Sequence, residues 1–194
     1  AGAAIDGVNQ SLQQAELLLS LYEPRLNAGE CSGVFSELSV HLPSLTNVVA
    51  FDETSEVECS AVGTPRLSPE NRLLHDRLRA GADELARSDA FYGSASDQWI
   101  FALNKRVEDE SGAFSGIHTF ALGASELASL VRTGYLPENV SMSIADESGR
   151  VFGDPMVGPI PAEWIEEVKT TRGASLPGRA NRRHVRRCCP AAGG

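Results

Sequence analysis

The sequence predicts an α+β fold, a mixed α/β architecture in which an antiparallel sheet is flanked by helices behind a long N-terminal helix. Three observations carry this. Asp-Glu-Ser/Thr recurs at Asp52-Glu53-Thr54, Asp109-Glu110-Ser111 and Asp146-Glu147-Ser148, each time between two short apolar or alternating runs. Asp bonds the backbone two residues on, and Gly112 and Gly149 accept positive φ at little cost, so each recurrence reads as a hairpin turn. Apolar residues at helical spacing occupy the first 42 residues and the segment between the first two turns. The third observation is period-two alternation on either side of Asp109.

The first helix carries Ile5, Val8, Leu12, Ala15, Leu19 and Tyr22 at alternating spacings of three and four. That is a coiled-coil seam at its minimum length, and it serves equally as the buried stripe of a helix lying on its own sheet. Leu17, Leu18 and Leu21 widen the stripe, and Pro24 ends it. A second helix opens at Asn27, with Glu30 completing a capping box, presents Cys31, Val34, Phe35, Leu38 and Leu42, and stops at Pro43. Strands follow over 46–51 and 55–61, the latter with Val57, Cys59 and Ala61 on one face.

A third helix is expected over 68–86, capped by Ser68 with Pro69 at its first position and bearing Leu73, Leu74, Leu78, Ala82 and Leu85. Phe91-Tyr92-Gly93 leads into a strand in which Trp99, Phe101 and Leu103 share one side and Ile100, Ala102, Asn104 and Arg106 the other. A strand over 113–122 returns antiparallel, a helix over 125–132 leaves the sheet, and a new hairpin pairs Val140 to Ile144 with Val151-Phe152.

Cys31 and Cys59 both fall on core-facing positions of adjacent elements. A disulfide between them would stabilise by roughly 3–4 kcal/mol and imply an oxidising compartment. Two buried thiols are the alternative. No Cys-x-x-Cys exists, and His41, His75, His118 and His184 stand far apart, so no metal site and no cofactor are expected. Gly-x-Ser-x-Gly, His-Glu-x-x-His, a Walker loop and a dinucleotide fingerprint are all missing, which supports no hydrolase, zinc protease or nucleotide enzyme.

Charge divides the chain. Residues 1–169 hold 11 basic and 26 acidic side chains, a net of −15, while residues 170–194 hold six arginines and no acid. The acidic part should repel nucleic acid and anionic lipid. The tail interleaves no aromatic residue among its arginines, so an irregular end is the stronger reading over an RNA-binding arm, and Cys188-Cys189 within it carries no interpretation. At 42% hydrophobic residues the chain can bury one generous core or two modest ones, and no apolar run is long enough to span a bilayer.

The long first helix, the Cys31 helix, the strand Val57-Glu58-Cys59-Ser60-Ala61, the Trp99 strand with Lys105-Arg106-Val107-Glu108-Asp109 and the return Gly112-Ala113-Phe114-Ser115-Gly116-Ile117 together resemble the double Cache (PDC-like) sensor domains. Those are periplasmic, PAS-like input domains of bacterial membrane receptors. Leu136-Pro137-Glu138-Asn139-Val140 and Ile144-Ala145-Asp146-Glu147-Ser148-Gly149-Arg150-Val151 resemble the start of the membrane-proximal module, in a form most like sensor histidine kinases. The resemblance covers residues 5–169.

It implies residues 1–26 as a signalling and dimerisation helix, 27–135 as the membrane-distal module, 136–169 as the start of the second and 170–194 as an Arg-rich tail. The seam from Ile5 through Val8, Leu12, Ala15, Leu19 and Tyr22 would make a homodimer, in a parent anchored in the inner membrane. The tail departs from the family pattern, as it would if a frameshift or an artificial end had replaced the native segment.

In such domains small ligands sit between the sheet and the helix before the long strands. The matching stretch here offers Tyr92, Asp97, Trp99, Phe101, Asn104, Arg106, His118 and Phe120, aromatic walls with a few polar groups. For Trp99 a core role is the stronger reading, and for Arg106 a surface ion pair with Glu108 or Asp109. The function implied is noncatalytic: a ligand-sensing domain of a two-component signal-transduction receptor that binds a small molecule or a partner protein. A sensor of a diguanylate cyclase or phosphodiesterase, or a free-standing binding module, is the alternative; an enzyme with an unrecognised site is a third reading.

Overall fold

The computed structural model describes the backbone of residues 2–132, 142–145, 151–153, 176–177 and 184–186, and the side chains of residues 10–69 and 71–129. The chain divides into two compact units, Gln13–Gly123 and a second formed by Ala1–Leu12 with Ala124–Gly194.

The first unit is built on a six-stranded antiparallel sheet. Its strands are β1 (Leu45–Asp52), β2 (Val57–Ser60), β3 (Leu85–Arg87), β4 (Phe91–Gly93), β5 (Gln98–Glu108) and β6 (Phe114–Gly123). The order is β2-β1-β6-β5-β3, with β4 also paired to β5. Both acidic turns use one device. Asp52 Oδ1 accepts from the Thr54 amide (2.8 Å), the Thr54 hydroxyl (2.7 Å) and the Glu56 amide (2.9 Å). Asp109 Oδ1 does the same for Ser111 and Ala113. These bonds, the Thr54 and Ser111 hydroxyls foremost, hold both carboxyls below the usual range. The fourth position of each turn is left-handed, at Ser55 (φ 67°) and Gly112 (φ 81°). The third turn, at Asp146, lies outside the described residues.

Among the described residues five helices accompany the sheets: α1 (Gly2–Leu21), α2 (Glu23–Asn27), α3 (Cys31–Leu38), α4 (Pro69–Arg79) and α5 (Ala124–Arg132). Pro24 does end the first helical run, but by opening α2 within its first two positions. The expected capping box is not formed: Asn27 is the last residue of α2, and α3 starts after Glu30 without a side-chain cap. At α4 the Ser68 hydroxyl accepts from the Asn71 amide at 3.3 Å, as its N-cap position demands. This helix stops at Ala80, before the left-handed Gly81 (φ 72°), so Leu85 belongs to β3 and not to a helix. Leu73, expected on the buried stripe, is exposed.

Register sets the two faces of the sheet. Val49, Thr119 and Asn104 lie side by side across β1, β6 and β5, as do Ala50, His118 and Lys105 one residue along. Alternation therefore sends Asn47, Val49, Phe51, Ile117, Thr119, Ala121, Ala102, Asn104 and Arg106 to one face and Val48, Ala50, His118, Phe120 and Leu103 to the other. On the first face, Leu78 of α4 joins Val49, Phe51, Ala86 and Ile117 in a buried cluster against which Val57, Leu67, Leu74 and Phe114 pack. Gly116 is required where β6 crosses β1, since a Cβ there would stand 2.3 Å from the Phe51 carbonyl oxygen.

On the opposite face, Cys31 of α3 is disulfide-bonded to Cys59 of β2, with a Cα–Cα distance of 5.9 Å. Period two would place Val57 and Cys59 together, but the register slips between Ala50 and Phe51. That bulge turns Val57 toward the α4 face and leaves Cys59 beside Ala50, facing α3. Lys105 pairs with Glu23 and Arg87 with Glu16 on this same side.

The N-terminal seam is not presented to a partner along its described length. Leu12, Ala15 and Leu19 are buried in the chain itself, and Tyr22 is half-buried with its hydroxyl on Glu37. Leu17 and Leu21 stand out instead, 70% and 69% exposed. The side chains of Ile5 and Val8 lie outside the described residues.

The second unit holds α5 and a small sheet ordered β8-β7-β10-β9. β7 (Met142–Ala145) and β8 (Val151–Gly153) pair antiparallel, as their alternation predicts. β9 (Leu176–Pro177) and β10 (His184–Arg186) come from the tail, to which the sequence reading assigned no strand; β10 runs parallel to β7.

Candidate functional site

Between α4 and the sheet lies a cavity. Small residues make it: Ala102 and Ala121 face it from β5 and β6, and Gly93 from β4, where a Cβ would stand 2.7 Å from Ser96 Oγ and 2.8 Å from Ile100 Cδ1. Val49, Phe51, Leu67, Phe91 and Ile100 supply apolar walls. The cavity volume is about 40 Å³, and since one water needs ~10–15 Å³ of such space, it holds the equivalent of about three waters.

Polar groups enter from both sides. Asn104 and Thr119, neighbours across β5 and β6, are both buried, and the Thr119 hydroxyl donates to Asn104 Oδ1 at 2.7 Å. Asn104 Nδ2 has only a long 3.4 Å contact to the Ala102 carbonyl. Asn71 and His75, one turn apart on α4, are buried too and line the cavity. Burial, with Arg79 nearby, lowers the pKa of His75 to about 4, so its ring is neutral at pH 7. Asn47 also borders the cavity but is consumed in holding the chain beyond β2: Nδ2 donates to Ser60 Oγ and the Val62 carbonyl, both at 3.0 Å, while Oδ1 accepts from the Val48 and Val62 amides at 2.8 and 2.9 Å. Exposed Arg66 stands among the lining residues, its amide bonded to Ser94 Oγ at 3.0 Å.

Of the eight residues suggested by sequence, Asn104 alone lines this cavity. Arg106 shares its face but serves α4: NH1 donates to the Leu78 and Arg79 carbonyls at 2.7 and 2.9 Å, Nε pairs with Glu108, and the guanidinium lies over Phe114. It closes a helix C-terminus as well as making the expected ion pair. Trp99, Phe101, His118 and Phe120 point to the opposite face by alternation. There Phe120 is fully buried, and His118 is buried with Nδ1 unpartnered and its pKa lowered to about 4 by desolvation. Tyr92 pairs with Trp99 across the β4–β5 hairpin, the rings edge to face at 6.0 Å, and its hydroxyl donates to Asp97 Oδ1 at 2.9 Å, which raises the phenol pKa.

The residues missed, Thr119, Asn71, His75 and Arg66, had a signal in the sequence. Asn104 shares its phase with Ala102, and one strand over Thr119 shares its phase with Ala121: small and polar residues facing one way in two buried strands leave room and hydrogen-bonding capacity together. Among the described residues no group of three His, Cys, Asp or Glu could hold a metal ion, and no helix is long and apolar enough to cross a membrane.

No family model matches this sequence, and no curated protein does. Solved structures do match. A domain described as the extracellular part of a histidine kinase, rpHK1S-Z16, superposes with a TM-score of 0.66 at 19% identity, covering 90% of this chain and 78% of that one. The ligand-binding domain of the Pseudomonas fluorescens chemoreceptor CtaA, in complex with L-isoleucine, gives 0.59 at 10% identity over 92% and 78%. That of the Campylobacter jejuni chemoreceptor Tlp3, in complex with L-valine, gives 0.56 at 13% over 92% and 82%. At such identities the likeness is one of fold, the fold that these receptor domains share.

Proposed function

We propose that this chain is the ligand-sensing input domain of a transmembrane receptor, lying outside the cytoplasm and binding a small molecule between α4 and the sheet. The observation that carries the reading is the cavity: closed by apolar walls, floored by Asn104 and Thr119, roofed by Asn71 and His75, on a fold shared with domains that hold L-valine and L-isoleucine. Those four side chains, with Arg66, are the proposed binding residues.

Several finer features belong to the same proposal. The parent is a sensor histidine kinase anchored in the bacterial inner membrane, supported by the rpHK1S-Z16 likeness and by the residue pattern around Asp146. Residues 27–135 form the binding module, and residues 136–169 begin the membrane-proximal one. The receptor works as a homodimer, and exposed Leu17 and Leu21, rather than buried Leu12, Ala15 and Leu19, form the described part of the α1 contact face. Occupancy shifts the dimer between two states because the ligand prefers one of them.

A thermal-shift screen of the full chain against amino acids, carboxylates, purines and polyamines tests the reading. A ligand that binds the folded state raises Tm by mass action. Such a rise is expected for one class, and it should vanish in Ala121→Leu, whose added side chain fills the cavity. A rise that survives Ala121→Leu would put the ligand elsewhere and overturn the assignment.

A further inference from the structure

Among the described residues the cavity carries neutral hydrogen-bonding groups and no acidic one. Asn104 Oδ1 already accepts from the Thr119 hydroxyl, and Asn47 Oδ1 from two amides. Donors remain. Asn104 Nδ2 has only its long contact, and among the described residues the side-chain amide of Asn71 makes no hydrogen bond, which leaves its Nδ2 and its Oδ1 open. Ser96 Oγ, against the cavity wall, has no partner either. Ser55 Oγ accepts from Arg79 at 3.0 Å and lies 3.3 Å from His75 Nδ1; with Nδ1 taken as the acceptor of the Ser55 proton, the neutral ring carries its own proton on Nε2, a further donor.

Charge points the same way. Among the described lining residues there is no Asp or Glu, and Arg66 is the one permanent charge. Its guanidinium makes no ion pair among the described residues. An ammonium group entering here would find no carboxylate and would share the site with the positive charge of Arg66, where an unpaired charge is costly. A carboxylate would find Arg66 and up to four neutral donors, the arrangement in which charge-assisted hydrogen bonds are strongest.

We propose that the ligand is a short monocarboxylate without an amino group, its carboxylate held by Arg66, Asn71 and Asn104 and its apolar tail against Val49, Phe51, Phe91 and Ile100. The cavity's water-scale volume limits it to roughly two to five carbons. This rests on the sensor reading above and departs from the bound amino acids of the structural neighbours in dispensing with the ammonium group.

Calorimetric titration of the full oxidised chain with four isosteric probes tests it: propionate, propionamide, propylamine and L-alanine. Propionate should saturate, propionamide should bind at least tenfold more weakly, and propylamine and L-alanine should not bind. Arg66→Gln, at an exposed position, should weaken propionate at least tenfold. Asn71→Asp puts a carboxylate in the cavity at a position in the first turn of α4 where Asp favours the helix, and should abolish propionate binding. L-Alanine or propylamine binding better than propionate, and lost in Ala121→Leu, would overturn the carboxylate assignment while sustaining the cavity as the sensor site. Propionate binding unmoved by Arg66→Gln, Asn71→Asp and Ala121→Leu would overturn both. No binding of any probe to protein that melts cooperatively would overturn the carboxylate assignment.

Discussion

The two faces of the central sheet are built to different ends. One is fastened: α3 is joined to β2 by the Cys31–Cys59 disulfide, Glu16 and Glu23 are paired to Arg87 and Lys105 across it, and Phe120 and Leu103 are fully buried. The other keeps space: Ala102 and Ala121 withhold larger side chains beneath α4, and buried Asn104, Thr119, Asn71 and His75 are placed where a close-packed core would carry aliphatic groups. The contrast teaches which polar residues to ask about. His118 and His75 are both buried and both held neutral, yet His118 lies on the fastened face and His75 on the open one.

Removing packing should hurt the fastened face most. Phe120→Ala is expected to cost about 3–5 kcal/mol, the usual loss for a fully buried Phe, read by urea denaturation. Opening the disulfide, by Cys31→Ser with Cys59→Ser or by reductant, should cost about 3–4 kcal/mol for a sequence separation of 28 residues. If this second loss is absent, the tether between α3 and β2 contributes nothing to the fold.

Acid should then reveal both histidines. Each has a folded pKa of about 4, against about 6.5 for the free side chain, so between these values the unfolded chain binds protons that the folded one refuses. Stability is therefore full above pH 6.5 and falls as pH drops toward 4, by up to ~1.4 kcal/mol per unit per histidine. Melts from pH 7 to 4.5 should show that fall in the wild type and about half of it in His118→Gln.

The smallest expected effect separates the two acidic turns. They share every backbone bond, but Ser55 takes the left-handed position that Gly112 takes in the second, and uses its hydroxyl to reach His75 and Arg79 on α4. Gly112→Ser should cost about 1 kcal/mol, because the serine would have the strain without the contacts. Ser55→Gly should also cost about 1 kcal/mol, because it loses two hydrogen bonds of about 1 kcal/mol each and regains only the strain. A gain of stability from Ser55→Gly would mean that Ser55 does not fasten α4.

Much of this was legible in the residues. The two Asp turns and the α4 cap are local chemistry, and the structure forms them as Asp52, Asp109 and Ser68 imply. Strand phase placed Asn104 apart from Trp99 correctly, and Cys31 is bonded to Cys59. Failures came where a long-range choice decided. The bulge opposite Ala50 sent Val57 and Cys59 to different faces, which no count by twos foresees. The spacing of Leu12, Ala15 and Leu19 left a coiled-coil seam and a helix packed in its own chain equally open, and only the structure shows these three buried in the chain. The cavity was not foreseen because it is made of what is absent, the side chains that Ala102 and Ala121 do not have; aromatic residues drew attention to Trp99, Phe101 and Phe120, which lie on the other face.

The central claim is that the face beneath α4 is the ligand face and the opposite one is structural. Heteronuclear NMR of the full chain titrated with propionate tests it most directly, with the two buried histidines as reporters. Saturable shifts at His75, Asn71, Asn104 and Thr119, with the His118 ring signals unmoved, are the predicted result. Saturable shifts centred on His118 and Lys105, with His75 silent, would contradict it.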